Sequence, residues 1–214
     1  MVAIVGLAIG GSVFLREPRH ALEHVEPLIT LSTEHGFALF MALATIVRGA
    51  ALAEDGRHDE GIAELNRGLG VYRTTGQRVS HRLYLCWLAQ AYAAAGAVGE
   101  AAATVDEALG MPTDERLFEP ELHRLHAELL TRQNEGPARV EASFREAIEL
   151  ARRQAARSLE LRAATSYARW LRAAGRGEEG RLRLEEVSGW FSAATTTPDL
   201  DEARALLRAL GPRA

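Results

Sequence analysis

Lysine is absent from this 214-residue chain, and all 25 basic residues are arginine. A phosphate-binding loop of the G-x-x-x-x-G-K-[ST] type needs its lysine to reach the β- and γ-phosphates, so that motif is excluded. Schiff-base chemistry is excluded for the same lack of an amine. Cys86 is the single cysteine. No internal disulfide and no cysteine-based zinc site can therefore form, which suits a reducing cytoplasm. There is no G-x-S-x-G elbow, Ser12 and Ser188 lack a nucleophile's setting, and no segment reads as a convincing strand. Long apolar runs are also missing. Met1 to Leu15 is apolar but stops at Arg16, short of the roughly 20 residues a spanning helix needs. It carries no leading positive charge of the kind a signal peptide has. It reads as a buried first helix, poor in isolation because of Gly10 and Gly11. A net charge of −4 speaks against nucleic acid as a partner of the whole chain.

Hydrophobic residues make up 47% and charged residues 25%, enough to bury a core and stay soluble. The apolar residues are arranged in a repeat. Gly56, Gly96 and Gly175 each end an Ala-rich amphipathic segment and precede another, as in LAEDGRHDEGIAELNRGL (52–69), YAAAGAVGEAAATVDEAL (92–109) and LRAAGRGEEGRLRLEEV (171–187). Glycine supplies the positive φ that a helix C-terminus favours, and acidic residues then suit the positive start of the next helix. Small or short side chains recur in phase at Ala21, Gly61, Ala101, Val140 and Gly180, with spacings of 40, 40, 39 and 40 residues. Gly49, Ala89, Ala127 and Ala168 form a second series; Leu28, Gly68, Ala108, Ala147 and Val187 form a third. Helices that cross closely leave no room for larger groups at the crossing.

LAQAYAAAGAVGEAAATVDEALGMP (88–112) resembles the tetratricopeptide (TPR) consensus, with Leu88, Ala89, Tyr92, Gly96, Ala101, Ala108 and Pro112 in register. The period near 40 exceeds that repeat's usual 34. Three stretches resemble the C-terminal repeat region of bacterial multidomain signalling proteins, which join a class III adenylate or guanylate cyclase, or another output module, to an ATPase and a helical array. They are ELHRLHAELL (121–130), SFREAIELARRQAARSLELRAATSYARWLRAAGR (143–176) and GWFSAATTTPDLDEARALL (189–207). The last matches that family's closing segment only at Thr197, Pro198, Asp199 and Leu200. The cyclase and ATPase parts are not covered.

The expected fold is all-α: a right-handed superhelical stack of antiparallel helix pairs, a TPR-like α-solenoid of about five repeats with a terminal capping helix. Pairs are expected at about 2–35, 38–74, 79–110, 120–155 and 158–190, with the cap at 199–210, in one domain over 1–214. Pro120, Pro137 and Pro198 fall where a first helical turn tolerates them. Pro27 falls inside a helix and should kink the first pair.

His20, Glu23 and His24 spell H-x-x-E-H, the order of inverted zinc metallopeptidases. No third ligand is identifiable, and a solvated helix face accounts for the pattern. His123 and His126 read as packing residues, and Trp87, Trp170 and Trp190 likewise. Cys86, near His81 and Arg82, reads as a small buried hydrophobe rather than a reactive thiol. Nothing supports an enzyme, and no cofactor is implied. Residues 139–183 hold eleven arginines against six glutamates, an asymmetry that fits either a binding surface or solvated helix faces.

The TPR resemblance implies that the first helix of each pair lines a groove. By register, the lining is Leu43, Ile46 and Ala50, then Leu83, Cys86 and Gln90, then Glu121, Arg124 and Glu128, and lastly Arg162, Thr165, Arg169 and Arg172. The groove should be apolar at its start and cationic at its end. Arginine's planar fork suits a carboxylate, so an acidic peptide or chain terminus is the expected ligand of a cytoplasmic regulatory scaffold. Salt bridges to Glu121 and Glu128 are the competing account of these arginines. Two other functions fit less of the chain: self-association through the first helix pair, and a small zinc metallopeptidase.

Overall fold

A computed structural model describes residues 16–112 and 115–211, and the apolar segment Met1 to Leu15 lies outside that range. The described residues form ten helices and no strand. They are α1 (Pro18–Glu34), α2 (Ala38–Glu54), α3 (His58–Thr74), α4 (His81–Ala94), α5 (Val98–Gly110), α6 (Glu119–Arg132), α7 (Pro137–Arg153), α8 (Arg157–Ala173), α9 (Gly177–Ser188) and α10 (Pro198–Leu210). Successive helices pack as pairs, α2 on α3, α4 on α5, α6 on α7 and α8 on α9. The helices fall into two compact units, one ending at Glu115 with α1–α5 and one starting at Arg116 with α6–α10.

The in-phase small residues are the crossing points. A Cβ on Gly49 would sit 2.7 Å from the Leu65 nitrogen, and one on Gly61 would sit 2.7 Å from the Gly49 oxygen, so α2 and α3 touch backbone to backbone. In the second unit a Cβ on Gly180 would lie 3.0 Å from the Ala168 oxygen. Ala21, Ala89, Ala101, Ala108, Ala127, Ala147 and Ala168 are all fully buried. Gly56, Gly96 and Gly175 adopt φ of 88°, 81° and 77° at the pair turns, as their positions require. The turn within the α6–α7 pair uses Asn134, and the turn between pairs from α7 to α8 uses Ala155. Asn134 and Ala155 take φ of 56° and 53°. Ala155 closes the end of α7, with its N–H donating to Arg152 O and the Ala156 N–H to Ala151 O.

Pro120, Pro137 and Pro198 sit in first turns. Helix α1 runs through Pro27, whose missing N–H leaves one internal carbonyl without its helical donor. Arg82 is buried in the first unit and caps the end of α5. Its guanidinium donates to Ala108 O (3.1 Å) and Met111 O (3.1 Å), carbonyls that the helix end leaves without donors, and to Glu115 O (2.8 Å) of the segment that follows. Neighbouring Cys86 is buried in the core. Helix α10 closes the second unit. Leu200, Ala203 and Leu206 pack with Leu161, Ala164, Ala168, Leu184 and Val187, whereas Asp201, Ala205 and Arg208 face solvent. A polar outer face is what a terminal repeat needs. Thr197 caps α10 by accepting from the Leu200 N–H, and Arg204 holds the preceding loop through the carbonyls of Ser192, Ala193 and Thr195.

Trp87 is buried and Trp170 joins a stack with Phe144 and Tyr167. Trp190 departs from the expected packing role. It lies beyond the end of α9, 64% exposed, with the Arg157 guanidinium 3.9 Å from its ring centroid. A cation over the ring face takes the place of core contacts.

Candidate partner-binding site

In the first unit, the expected apolar lining turns inward. Ile46, Ala50, Leu83 and Cys86 are buried, and only Leu43 and Gln90 are half-exposed. Ile46 lies against Gly68, whose absent side chain makes room for it. Periodicity alone does not separate a groove position from one facing the helix's own partner, and here the core takes most of the set.

In the second unit, the predicted charged residues do come together, but largely with one another. Arg124 on α6 binds Glu121 bidentately, with Nε–Oε2 at 2.9 Å and Nη2–Oε1 at 2.8 Å. Its Nη1 donates to Glu128 Oε1 at 2.6 Å and Ser166 Oγ at 3.2 Å, and Ser166 in turn donates to Glu128 Oε1 at 2.8 Å. Arg162 on α8 continues the network, with Nη2 at 2.7 Å from Asp199 Oδ2 and Nη1 at 3.7 Å from Glu121 Oε1. Burial works against the charge on Arg162, but Glu121 and Asp199 outweigh it and raise its pKa. Thr165 is buried, its hydroxyl donating to Leu161 O at 2.8 Å. Glu121, Arg124 and Arg162 therefore hold α6, α8 and α10 in register, and Thr165 is turned to its own helix, instead of lining an open groove. The ion pairs named as the competing account explain this part of the set.

What reaches solvent is the last turn and a half of α8. Arg169 is exposed and pairs with Glu202 of α10, with both side chains open to water. Arg172 is exposed and, among the described residues, has no carboxylate partner. That distinguishes it from the other arginines of 139–183, which pair with carboxylates. The positive balance of this segment is thus met mostly inside the unit.

A second charged cluster escaped the sequence reading. Glu141 accepts from Arg176 (Nη1, 2.8 Å), Arg145 (2.5 Å) and the Tyr167 hydroxyl (2.8 Å). Hydrogen bonds from Arg176 and then Tyr167 pull its carboxyl down to about 2. Arg145 is an i,i+4 neighbour, but Tyr167 and Arg176 lie 26 and 35 residues away and no local pattern marks them. His126 Nδ1 meets Ser143 Oγ at 3.0 Å, a packing contact between α6 and α7.

On α1, the rings of His20 and His24 meet edge to face at a centroid distance of 4.3 Å, with their Nε2 atoms 3.1 Å apart. Among the described residues no group of three metal-ligating side chains converges. No helix among them is long and apolar enough to cross a membrane.

These pairs define an all-α, TPR-like helical repeat. Three solved structures share the architecture. BtubC (BKLC) from P. vanneervenii is 14% identical, with 97% of this chain and 83% of that one covered and a TM-score of 0.66. Two structures of nearly identical TPR-like repeats from a kinesin light chain of Podosopora anserina are each 18% identical, covering 88% of this chain. They cover 92% and 93% of their own chains, with TM-scores of 0.54 and 0.53. At such identities the likeness is one of fold. No family model and no curated protein matches the sequence.

Proposed function

We propose that this chain is a non-catalytic protein-interaction scaffold that captures an acidic peptide or chain terminus on the exposed end of α8. Arg172 carries the reading: an exposed guanidinium without an internal carboxylate partner among the described residues, three residues from Arg169 on the same helix face. An exposed ion pair such as Arg169–Glu202 contributes only about 0.2–1 kcal/mol. A ligand carboxylate can replace Glu202 at small cost and gain the fork of Arg172 as well. The resemblance of 121–130, 143–176 and 189–207 to signalling-protein repeat regions supports a place in a cytoplasmic bacterial signalling or transcription-control system.

The test is fluorescence anisotropy of a labelled glutamate-rich peptide titrated with the full chain. Wild type should bind in a salt-dependent manner, and R169Q/R172Q should lose binding while its helical circular dichroism is unchanged. Equal binding by that variant would refute the site. Sedimentation of the free chain tests self-association: a dimer dissociated by removing the first helix pair would favour that alternative.

A further inference from the structure

The geometry points to a two-histidine chelate for a borderline divalent cation, of the zinc class, on the exposed flank of α1. Ala21, Val25 and Leu28 are buried and anchor this helix. Residues 20 and 24 each fall one position before that stripe, so they ride on its flank one turn apart. Their imidazoles do more than share a face. The two Nε2 atoms lie 3.1 Å apart with the rings at 87°, so one ring nitrogen directs its proton at the lone pair of the other.

A cation held by both lone pairs needs nearly the same arrangement. Zinc–nitrogen bonds of about 2.0–2.1 Å at a tetrahedral angle place two nitrogens roughly 3.3 Å apart. The pair is therefore within a few tenths of an ångström of the bite of a chelate, and a small χ adjustment closes the difference. Binding replaces that hydrogen bond: the ring that presented Nε2–H takes its proton on Nδ1 by exchange with solvent, so both Nε2 lone pairs bond the metal and each Nδ1 carries one proton, with two ring protons before and after. Two donors leave the other coordination positions to water or to a donor from another molecule. That is neither the closed shell of a structural zinc site nor the three-ligand set of a peptidase. Imidazole ligands suit zinc, copper and nickel, and they disfavour magnesium and calcium.

Isothermal titration of the full chain with zinc chloride tests this. Wild type should show one saturable site. H20A and H24A should each reduce the affinity by at least about tenfold, the cost that even an outer-shell loss carries. H35A should leave it unchanged. Zinc should also raise the melting temperature of wild type but not of H20A/H24A, because a bridge between i and i+4 stabilises the folded helix alone. Absence of saturable binding, or binding that survives the double substitution, would overturn the proposal. Because α1 packs through its other face, unchanged circular dichroism separates a lost site from a lost fold.

Discussion

Arg162 donates to Asp199 through both Nε and Nη2, at 3.2 and 2.7 Å, and so ties α8 to the helix that caps the second unit. Asp199 is buried, and its partner also reaches toward Glu121 on the preceding first helix. One guanidinium thus bridges three helices that are far apart in sequence.

Removing that guanidinium strands a buried carboxylate. R162M should lower unfolding free energy by about 2–3 kcal/mol, below the range for a fully buried pair because Arg162 is partly solvated. R162M/D199N should recover part of the loss, giving a favourable coupling in a double-mutant cycle from urea denaturation.

Close crossing and open surface separate two glycines of α2 and α3. G49A should destabilise by about 3 kcal/mol or more, since its Cβ would meet the Leu65 nitrogen at 2.7 Å. G70A, with nothing within 4 Å of its Cβ, should stabilise by about 0.5–1 kcal/mol through helix propensity. Thermal denaturation of the two variants reads both signs.

Ala155 holds φ of 53° at a turn between pairs, where Gly36 and Gly76 serve at the equivalent turns of the first unit. An L-residue there costs about 1–2 kcal/mol, partly offset in the alanine's favour by the larger unfolded-state entropy of glycine. A155G should therefore raise stability by about 0.5–1 kcal/mol in chemical denaturation. G96A, at φ 81°, should lower it.

Acid should act on the two units through different groups. Burial, then Arg73 and Arg78, lower the pKa of His81, with Glu107 opposing. The unfolded chain takes up that proton first, so this contribution is intact above pH 6.5 and declines below it. Glu141, pulled down to about 2, contributes fully above pH 4.5 and loses its contribution as pH falls toward 2. H81Q should flatten the stability–pH curve below about pH 6.5, and E141Q should flatten its acid end.

The repeat was legible because a close crossing admits only small side chains, so Gly49, Gly61, Ala101 and Gly180 leave a record at fixed spacing. The turns were legible wherever glycine supplies positive φ. Ala155 and Asn134 were not, since the backbone hydrogen bonds that hold them leave no mark in composition. The charged face of α8 was legible as a face but not as a free one. Arg162 and Arg169 find their carboxylates on α10, 37 and 33 residues onward. A charged stripe facing water and one facing a neighbouring helix share the same period. Trp190 shows the converse, an aromatic residue that a cation covers in place of the core.

The most direct test of the binding account follows the arginine side-chain Nε–Hε resonances by NMR while a glutamate-rich peptide is added to the full chain. Saturable shifts at Arg172 and Arg169, with Arg124 and Arg162 unmoved in their buried pairs, are the predicted result. Shifts confined to other arginines, with Arg169 and Arg172 unchanged at saturation, would contradict it.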